Sequence, residues 1–274
     1  MIISVETMLG CNLKCPECAI GANLIKRKKG YMPYEKFEII ADKVKDCASY
    51  MFLHIWGEAL LSPDIKDIML LARSICRCNI STNGQILKDD MAEFLMENDI
   101  DLIVSIDGVS QEAYEKYRIN GKVDRAWNSV ERLKYYQNVH KKGTIQVQML
   151  VFQHNANEIS AFENKCRALG VKPSLKGPNF FAGSSLQRHP SYNRLLGTPE
   201  QVANKCKDPT DVLTILLDGS CVACCYDYNG ETNFGNIFTD SLDDIKKKGL
   251  EYRRQMQSPT IPKFCKEGCQ LAKK

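Results

Sequence analysis

The stretch Gly10–Ala19, GCNLKCPECA, places three cysteines a few residues from the start of the chain. Cys11, Cys15 and Cys18 follow a C-x3-C-x2-C spacing. A structural zinc site takes four protein ligands and disulfides consume thiols in pairs, so a group of three fits neither well. Three thiolates on a four-iron cube leave one iron open, much as a catalytic zinc site leaves one position for its substrate. The spacing therefore predicts an iron–sulfur cluster that binds one further ligand.

The overall composition is that of a globular protein with a sizeable core. The 274-residue chain is 44% hydrophobic and 26% charged, with a formal net charge of +4. This charge is too small to indicate nucleic acid or a membrane surface as a partner, and the basic runs Lys26–Lys29 and Lys246–Lys248 are typical of solvated faces. We find no signal peptide and no apolar run long enough to cross a bilayer. The thirteen cysteines are therefore expected in a reducing cytoplasm.

Strand-like and helix-like segments alternate over the first two thirds of the chain, which predicts βαβ units and a parallel sheet. Six strands are too few for a complete eight-unit barrel, so we expect an α/β fold with a partial barrel or an open sheet. In such folds the chemistry gathers at the carboxyl ends of the strands. The predicted strands start near Ile2, Tyr50, Cys78, Asp101, Thr144 and Val171, and the predicted helices start near Tyr34, Asp64, Lys88, Asp124 and Glu158.

A different pattern follows the last of these strands. A connector rich in Gly, Pro, Ser and Asn leads into DVLTILLDGSCVAC, which is typical of a β-hairpin that turns at Asp218-Gly219. A helix is predicted around Ser241–Met256, and the chain ends in the cysteine-containing segment FCKEGCQLAKK. We therefore predict a barrel region over residues 1–185 and a small cysteine-rich hairpin and helix domain over residues 186–274.

Three further strand ends carry small polar or acidic side chains. The second predicted strand runs into WGEA at Trp56–Ala59, the third into STNG at Ser81–Gly84, and the fourth into SIDG at Ser105–Gly108. Because the carboxyl ends of parallel strands meet at one edge of the sheet, these segments are expected to lie beside the cysteine loop.

The cysteine motif and these strand ends together resemble the radical S-adenosylmethionine (SAM) superfamily, in which C-x3-C-x2-C follows the first strand of a partial (β/α)6 TIM-type barrel. WGEA resembles the family's GGEP motif, which binds the methionyl amino group of SAM. SIDG resembles the segment that contacts the SAM ribose. The resemblance implies cluster ligands at Cys11, Cys15 and Cys18 and SAM contacts at Gly57, Glu58, Thr82, Asn83, Ser105 and Asp107.

Two positions depart from the family pattern. The residue before the third motif cysteine is usually aromatic and packs near the adenine, but here it is Glu17. WGEA also lacks the first glycine and the proline of GGEP. Both departures concern SAM contacts, and neither removes a cluster ligand.

The family's chemistry accounts for the open iron. The amino and carboxylate groups of SAM occupy it, and one electron splits the sulfonium bond into methionine and a 5′-deoxyadenosyl radical. That radical removes a hydrogen atom from an unactivated C–H bond. The resemblance therefore implies SAM and a [4Fe-4S] cluster as cofactors, and a flavodoxin- or ferredoxin-type electron donor.

The C-terminal cysteines resemble a second module. The order of features resembles that of the twitch domain, a short form of the SPASM domain with one auxiliary [4Fe-4S] cluster. That order is one cysteine, a hairpin, another cysteine, a GNI segment at Gly235–Ile237, a helix and a terminal cysteine pair. The layout is similar to that of a radical SAM aminocyclitol dehydrogenase and of radical SAM epimerases. The implied ligands of the auxiliary cluster are Cys206, Cys224, Cys265 and Cys269.

Plainer interpretations exist for several of these residues. Cys15/Cys18 and Cys221/Cys224 are both C-x2-C pairs, which also occur in zinc knuckles, although a knuckle leaves Cys11 unexplained. A non-catalytic iron–sulfur electron carrier would not need the strand-end motifs. Four other cysteines are expected to be small core residues: Cys47, Cys76, Cys78 and Cys166. His54 is expected to be a packed strand residue rather than a base.

Two reactions fit the resemblance. In a dehydrogenase the auxiliary cluster accepts an electron from the substrate radical and a base takes the proton, for which Asp227 is a candidate, although a turn-forming role fits it equally. In an epimerase a thiol returns a hydrogen atom to the opposite face. Cys225 directly follows a predicted cluster ligand, where sulfatase-maturing enzymes place a catalytic aspartate. We predict epimerisation with Cys225 as donor, on a small polar substrate such as a sugar or aminocyclitol or on a peptide, with a dehydrogenase or a peptide-modifying maturase as alternatives.

Overall fold

The computed structural model describes residues 1–192 and 196–272. The strands are β1 (Ile2–Val5), β2 (Met8–Leu9), β3 (Gly30–Tyr31), β4 (Tyr50–Phe52), β5 (Cys78–Thr82), β6 (Asp101–Ser105), β7 (Ile145–Leu150), β8 (Lys172–Lys176), β9 (Val212–Ile215) and β10 (Cys221–Val222). The helices are α1 (Tyr34–Val44), α2 (Ile65–Ile75), α3 (Asp89–Glu97), α4 (Gln111–Glu115), α5 (Val123–His140), α6 (Ile159–Leu169), α7 (Pro199–Lys205), α8 (Asp208–Asp211), α9 (Leu242–Met256) and α10 (Lys263–Glu267). Short 3-10 turns lie at Ala59–Leu61, Gln153–Glu158 and Pro190–Tyr192.

One eight-stranded sheet organises the fold, in the order β10-β9-β1-β4-β5-β6-β7-β8. Along this order, all neighbouring strands between β9 and the far edge β8 run parallel to each other. At the other edge, β10 pairs antiparallel with its neighbour β9. The strands β8 and β10 are the two edges, so the sheet does not close on itself. The predicted α/β fold with a partial barrel is confirmed.

The sequence of β7, IQVQML, shows how the layers form. Ile145, Val147 and Met149 are buried and belong to the main hydrophobic core, which packs the sheet against the helices. The alternate residues Gln146 and Gln148 are half-buried and point to the other face of the strand, the inside of the barrel. The same alternation occurs around β4, where Met51 and Leu53 are fully buried while Phe52 and His54 are half-buried. The interior of the barrel is therefore lined by half-buried side chains, polar on β7 and mixed around β4.

The C-terminal hairpin continues the barrel sheet. β9 pairs in parallel with β1 along its whole length, from Ile2↔Val212 to Val5↔Ile215. The turn before β10 contains Gly219 at φ +86°, where an added Cβ would lie 2.4 Å from the ring of Phe238. The predicted hairpin is confirmed, while the domain boundary at 185/186 stays a prediction.

The predicted helix near the C-terminus is also present as α9. Ser241 caps it, since its side chain accepts a hydrogen bond from Asp244 N at 3.1 Å. Over residues 1–192 and 196–272, every helix is too short or too polar to cross a bilayer.

Candidate active site and cysteine clusters

The loop after β2 folds tightly around its three cysteines. Cys18 N donates to Cys15 O at 3.1 Å, and Leu13 N donates to the Sγ of Cys11 at 3.4 Å. Gly21 passes so close that an added Cβ would lie 2.2 Å from Cys15 O. All three thiols line one cavity of about 120 Å³. The predicted cluster ligands are therefore brought together at the carboxyl ends of the strands.

The remaining walls of this cavity come from the predicted strand ends. The residues from these segments and from the loop after α4 that line it are Gly57, Glu58, Ser81, Thr82, Asn83, Ser105, Tyr117 and Arg118. Across residues 1–192 and 196–272, no three Cys, His, Asp or Glu side chains converge closely enough to hold a single metal ion. Three thiols on the walls of one cavity can each bind a separate corner of a four-iron cube. The donor set and its surroundings fit a [4Fe-4S] cluster with an adjoining polar ligand.

Glu58 joins two of the strand ends. Its carboxylate is 2% exposed and accepts hydrogen bonds from Thr82 Oγ1 at 2.8 Å, Asn83 N at 2.7 Å and Leu60 N at 3.3 Å. Burial raises the pKa of Glu58, and these hydrogen bonds act in the opposite direction. A carboxylate has about four acceptor positions, so three protein donors leave one for the amino group of a ligand.

A glycine brings Glu58 to the cysteine loop. Gly57 has φ +90°, and an added Cβ would lie 2.3 Å from Met8 O. The next amide, Glu58 N, donates to Gly10 O at 2.9 Å. Only glycine fits where these two backbone segments cross. The turn at Gly57 therefore fixes the position of Glu58 relative to the loop that begins at Cys11.

Asp107 has a different setting from the one that the resemblance implies. Its buried carboxylate accepts hydrogen bonds from Leu150 N at 2.6 Å and from the guanidinium of Arg118. It is Arg118 that borders the cavity. Burial works against the charge of Arg118, but the adjacent Asp107 carboxylate holds the pKa of Arg118 above its ordinary value. Asp107 thus positions Arg118, and its direct contact with SAM stays a prediction.

Glu17, the departure from the aromatic pattern, holds the connector that follows β8. Its carboxylate is 1% exposed and accepts hydrogen bonds from Ala182 N at 2.8 Å and from Ser184 N. The same connector places Phe180 against Phe152, with ring centroids 6.2 Å apart, in a small apolar cluster beside the cysteine loop. An acid at position 17 therefore fastens an aromatic segment over the loop instead of supplying an aromatic ring itself.

The predicted auxiliary ligands also meet at one place. Cys206, Cys224, Cys265 and Cys269 line a single cavity, whose other walls include Val202, Ala223, Met256, Phe264 and Leu271. Burial raises the pKa of Cys206 to about 11, so the unligated thiol holds its proton and metal binding releases it. Four thiols around one apolar cavity fit a fully ligated [4Fe-4S] cluster.

The structure separates the three cysteines of the hairpin. Cys221 is fully buried in the main core, with its Sγ 3.7 Å from Gly219 O, which suits a packing role. Cys224 faces the auxiliary cavity. All thirteen cysteines lie in the described ranges, and Cys225 alone is exposed.

Cys225 lies at the junction of the barrel mouth and the C-terminal region. Its carbonyl accepts a hydrogen bond from Trp56 Nε1 at 3.1 Å. The Trp56 ring packs edge-on against Phe181 and Tyr228, with centroid distances of 5.3 and 5.8 Å. Because Trp56 directly precedes Gly57, this contact fixes the backbone of Cys225 to the turn that carries Glu58.

Asp227 forms a turn. Its buried carboxylate accepts hydrogen bonds from Glu231 N at 2.8 Å, Thr232 N at 2.7 Å and Thr232 Oγ1 at 2.6 Å. These three hydrogen bonds close the turn from Asp227 to Thr232 and use three of the about four acceptor positions of the carboxylate. The geometry favours the turn-forming interpretation, and a role for Asp227 as a base stays a prediction.

His54 follows β4, on the same side of the chain as Phe52. Burial lowers the pKa of His54 to about 4, although a hydrogen bond with the backbone of Asn79 acts the other way. Its Nδ1 and the Oδ1 of Asn79 are buried and have no hydrogen-bond partner in the described part of the chain. Its ring packs edge-on against Phe52 at 5.7 Å. His54 is thus a packed, enclosed side chain whose charged form is disfavoured.

A clamp connects the first cysteine loop to the C-terminal region. Arg27 forms two hydrogen bonds with the buried Glu6, at 2.7 and 2.8 Å, and donates to Tyr228 O at 2.7 Å. Lys26 N donates to Asn229 Oδ1 at 2.9 Å. Burial raises the pKa of Glu6, and Arg27 partly offsets this effect. The two cysteine clusters are therefore held in one fixed frame.

Comparison with known proteins agrees with this geometry. Residues 5–162, more than half of the chain, match the family model described as the Radical SAM superfamily. The chain belongs to the radical SAM superfamily. Residues 206–270 match SPASM, described as an iron–sulfur cluster-binding domain. The cofactors are SAM and two [4Fe-4S] clusters, one for each region.

The curated relatives include maturation enzymes. The chain is 35% identical to a serine-type anaerobic sulfatase-maturating enzyme of Bacteroides thetaiotaomicron over 124 residues, which is 40% of this chain and 30% of that enzyme. It is 21% identical to the mycofactocin maturase MftC of Mycobacterium tuberculosis, over 98% of this chain and 78% of that protein.

Solved structures share the fold. SuiB of Streptococcus suis bound to S-adenosylmethionine has a TM-score of 0.71 at 15% identity, covering 89% of this chain and 64% of SuiB. The structure of anSMEcpe with bound AdoMet has a TM-score of 0.70 at 18% identity, covering 98% and 88%. BtrN in complex with AdoMet and 2-DOIA has a TM-score of 0.60 at 19% identity, covering 99% and 90%.

Proposed function

We propose that this radical SAM enzyme inverts a carbon centre of its substrate, with Cys225 as the hydrogen donor. The observation that carries the proposal is the position of Cys225, an exposed thiol whose backbone is bonded to Trp56 at the barrel mouth. The competing oxidation needs a base, and Asp227, the predicted base, is buried and uses three of its about four acceptor positions within its own turn.

The residues around the first cavity have separate tasks in this proposal. Cys11, Cys15 and Cys18 hold the first cluster, and the free acceptor position of Glu58 receives the amino group of SAM. Ser105 and the guanidinium of Arg118 border the same cavity and orient polar groups of SAM. Bound there, SAM supplies on one-electron reduction a radical that removes a hydrogen atom from a substrate carbon.

Cys225 then completes the inversion. Its S–H bond breaks, a C–H bond forms on the opposite face of the substrate carbon, and the sulfur keeps one unpaired electron. One further electron from the external low-potential donor and one proton from solvent restore the thiol. The substrate itself undergoes no net change of oxidation state.

The substrate binds in the barrel interior in this proposal. Gln146 and Gln148, the half-buried residues on the inner face of β7, carry amide groups suited to hydroxyl or amide groups of a substrate. The names of two relatives describe maturases, and one solved SuiB structure is bound to the precursor peptide SuiA. These names favour a peptide over a small sugar-like molecule.

A dehydrogenase is the second candidate. It is favoured by the four thiols around the auxiliary cavity, because a cluster with no open iron is suited to accept an electron rather than to bind substrate. The match along nearly the whole chain to BtrN, solved with a small molecule, points the same way.

Product analysis in heavy water distinguishes the two reactions. Protein with both clusters is incubated anaerobically with SAM, dithionite and an extract of the host's peptides and metabolites, and the mixture is compared by mass spectrometry. The exchangeable S–H of Cys225 takes up deuterium, so an epimerised product gains one deuterium at the inverted centre. Cys225→Ala should still release 5′-deoxyadenosine but give no deuterated product.

Cys47→Ala is the matched control, because Cys47 is half-buried in a helix-end context outside both cysteine clusters. It should behave as the wild type. A product two hydrogen atoms lighter than its substrate, formed equally by Cys225→Ala, would contradict the epimerase and support the dehydrogenase.

A further inference from the structure

The basic run after the cysteine loop lies beside the first cluster site. The β2–β3 ladder places Gly30 directly opposite Leu9, which is two residues before Cys11. Paired Cα atoms are about 5.5 Å apart or less and consecutive ones about 3.8 Å, so the backbone at Gly30 lies within roughly 13 Å of Cys11. The backbone that directly follows residues 26–29 therefore lies close to the loop that holds the SAM-binding cluster.

The lysines of this run are exposed and uncommitted. Arg27 is used internally by Glu6 and Tyr228, but Lys28 and Lys29 are exposed and form no ion pair or hydrogen bond within residues 1–192 and 196–272. They border an open groove of about 370 Å³ together with Tyr31 and Lys36. Asp218 is the acidic side chain on its wall.

From this surface we infer a docking site for the electron donor, a small acidic redox protein of the flavodoxin type. Charge complementarity selects the occupant, since three lysines at the rim of a groove attract a negatively charged surface and raise its rate of encounter. Proximity points to the function, since Gly30 lies on the wall of the groove and its backbone is within roughly 13 Å of Cys11, a predicted ligand of the cluster that must be reduced. The inference rests on the proposed radical SAM chemistry and adds the face through which its electron enters.

The test compares two reductants on the same enzyme with both clusters. Reduced flavodoxin must dock before it transfers an electron, whereas dithionite is a small molecule that does not need the groove. The variant Lys28→Glu/Lys29→Glu reverses the charge of the rim. Its rate of 5′-deoxyadenosine release with flavodoxin should fall about tenfold, and the wild-type rate should fall steeply with added salt. With dithionite the variant should keep at least about half of the wild-type rate, because rim charges affect encounter rather than the cavity.

A matched control comes from the other basic run. Lys246→Glu/Lys247→Glu makes the same change of charge on exposed positions of α9 and should leave the flavodoxin-supported rate near that of wild type. An unchanged flavodoxin rate in the Lys28/Lys29 variant, or an equal fall in both basic-run variants, would overturn the docking site. Equal losses with flavodoxin and dithionite would overturn it too, because the change would then act on the cluster site. Absence of 5′-deoxyadenosine from wild type with dithionite would instead contradict the proposed function.

Discussion

Buried carboxylates hold the ends of the barrel strands together. Glu58, Glu17 and Asp107 are each almost fully buried, and each accepts at least two hydrogen bonds from neighbouring segments. Burial of a carboxylate costs several kcal/mol, and each hydrogen bond to the charged group returns about 1.5–3 kcal/mol. Removing one donor is therefore tolerable, whereas removing the acid leaves several donors without a partner.

His54 gives a prediction on pH dependence. Its pKa is lowered from 6.5 to about 4 in the folded protein, so between these values the unfolded chain binds more protons than the folded one. Stability should therefore rise with pH across this window and be lost on acidification. From about pH 7.5 to about pH 5.5, the wild type should lose about 1 kcal/mol of unfolding free energy through this residue.

Urea unfolding in anaerobic buffer measures this loss. His54→Phe and His54→Gln remove the titrating group with different shapes, and both should lower the pH dependence by the same amount. A pH dependence identical to that of the wild type in both variants would show that another group is responsible.

The connector between β8 and α7 should depend on Glu17. Glu17→Ala leaves the amides of Ala182 and Ser184 without their acceptor, so the connector should separate from the cysteine loop more often. Limited proteolysis within residues 177–192 should become at least about fivefold faster. Iron content should stay unchanged because no cluster ligand is touched.

Glu131→Ala is the control for this experiment, since Glu131 is exposed on α5. It should be cleaved at the wild-type rate. Equal cleavage rates in both variants would mean that Glu17 does not hold the connector.

Elements with a strong local pattern could be predicted from the sequence, and those that depend on distant contacts could not. The strands around Ile80, Val104 and Val147 were predictable because these β-branched residues belong to the main hydrophobic core while their neighbours along the strand face the other side of the sheet. The two-residue strands β2 and β3 have no periodicity to detect, and the pairing of β9 with β1 joins segments some 210 residues apart. A motif also does not reveal its partners, so the sequence could not show that Asp107 is engaged by Arg118.

At the scale of the whole molecule, one continuous sheet connects the regions that carry the two cysteine clusters. The shared sheet and the clamp from Arg27 to Glu6 and Tyr228 connect the first cysteine loop to the hairpin that bears Cys224 and Cys225. In the proposed function the substrate binds between them, near the aromatic contacts of Trp56. A radical formed at the first cavity and a donor at Cys225 thus reach the same space from different sides in the proposed reaction.

Iron content combined with SAM cleavage tests this account most directly. Anaerobically reconstituted protein should hold about eight irons. Replacing Cys11, Cys15 and Cys18 by Ala should leave about four irons and abolish 5′-deoxyadenosine release. Replacing Cys206, Cys224, Cys265 and Cys269 by Ala should also leave about four irons but keep a slow release with dithionite. Full iron retention in either variant, or zinc in place of iron in the wild type, would contradict the assignment of two separate clusters to these thiols.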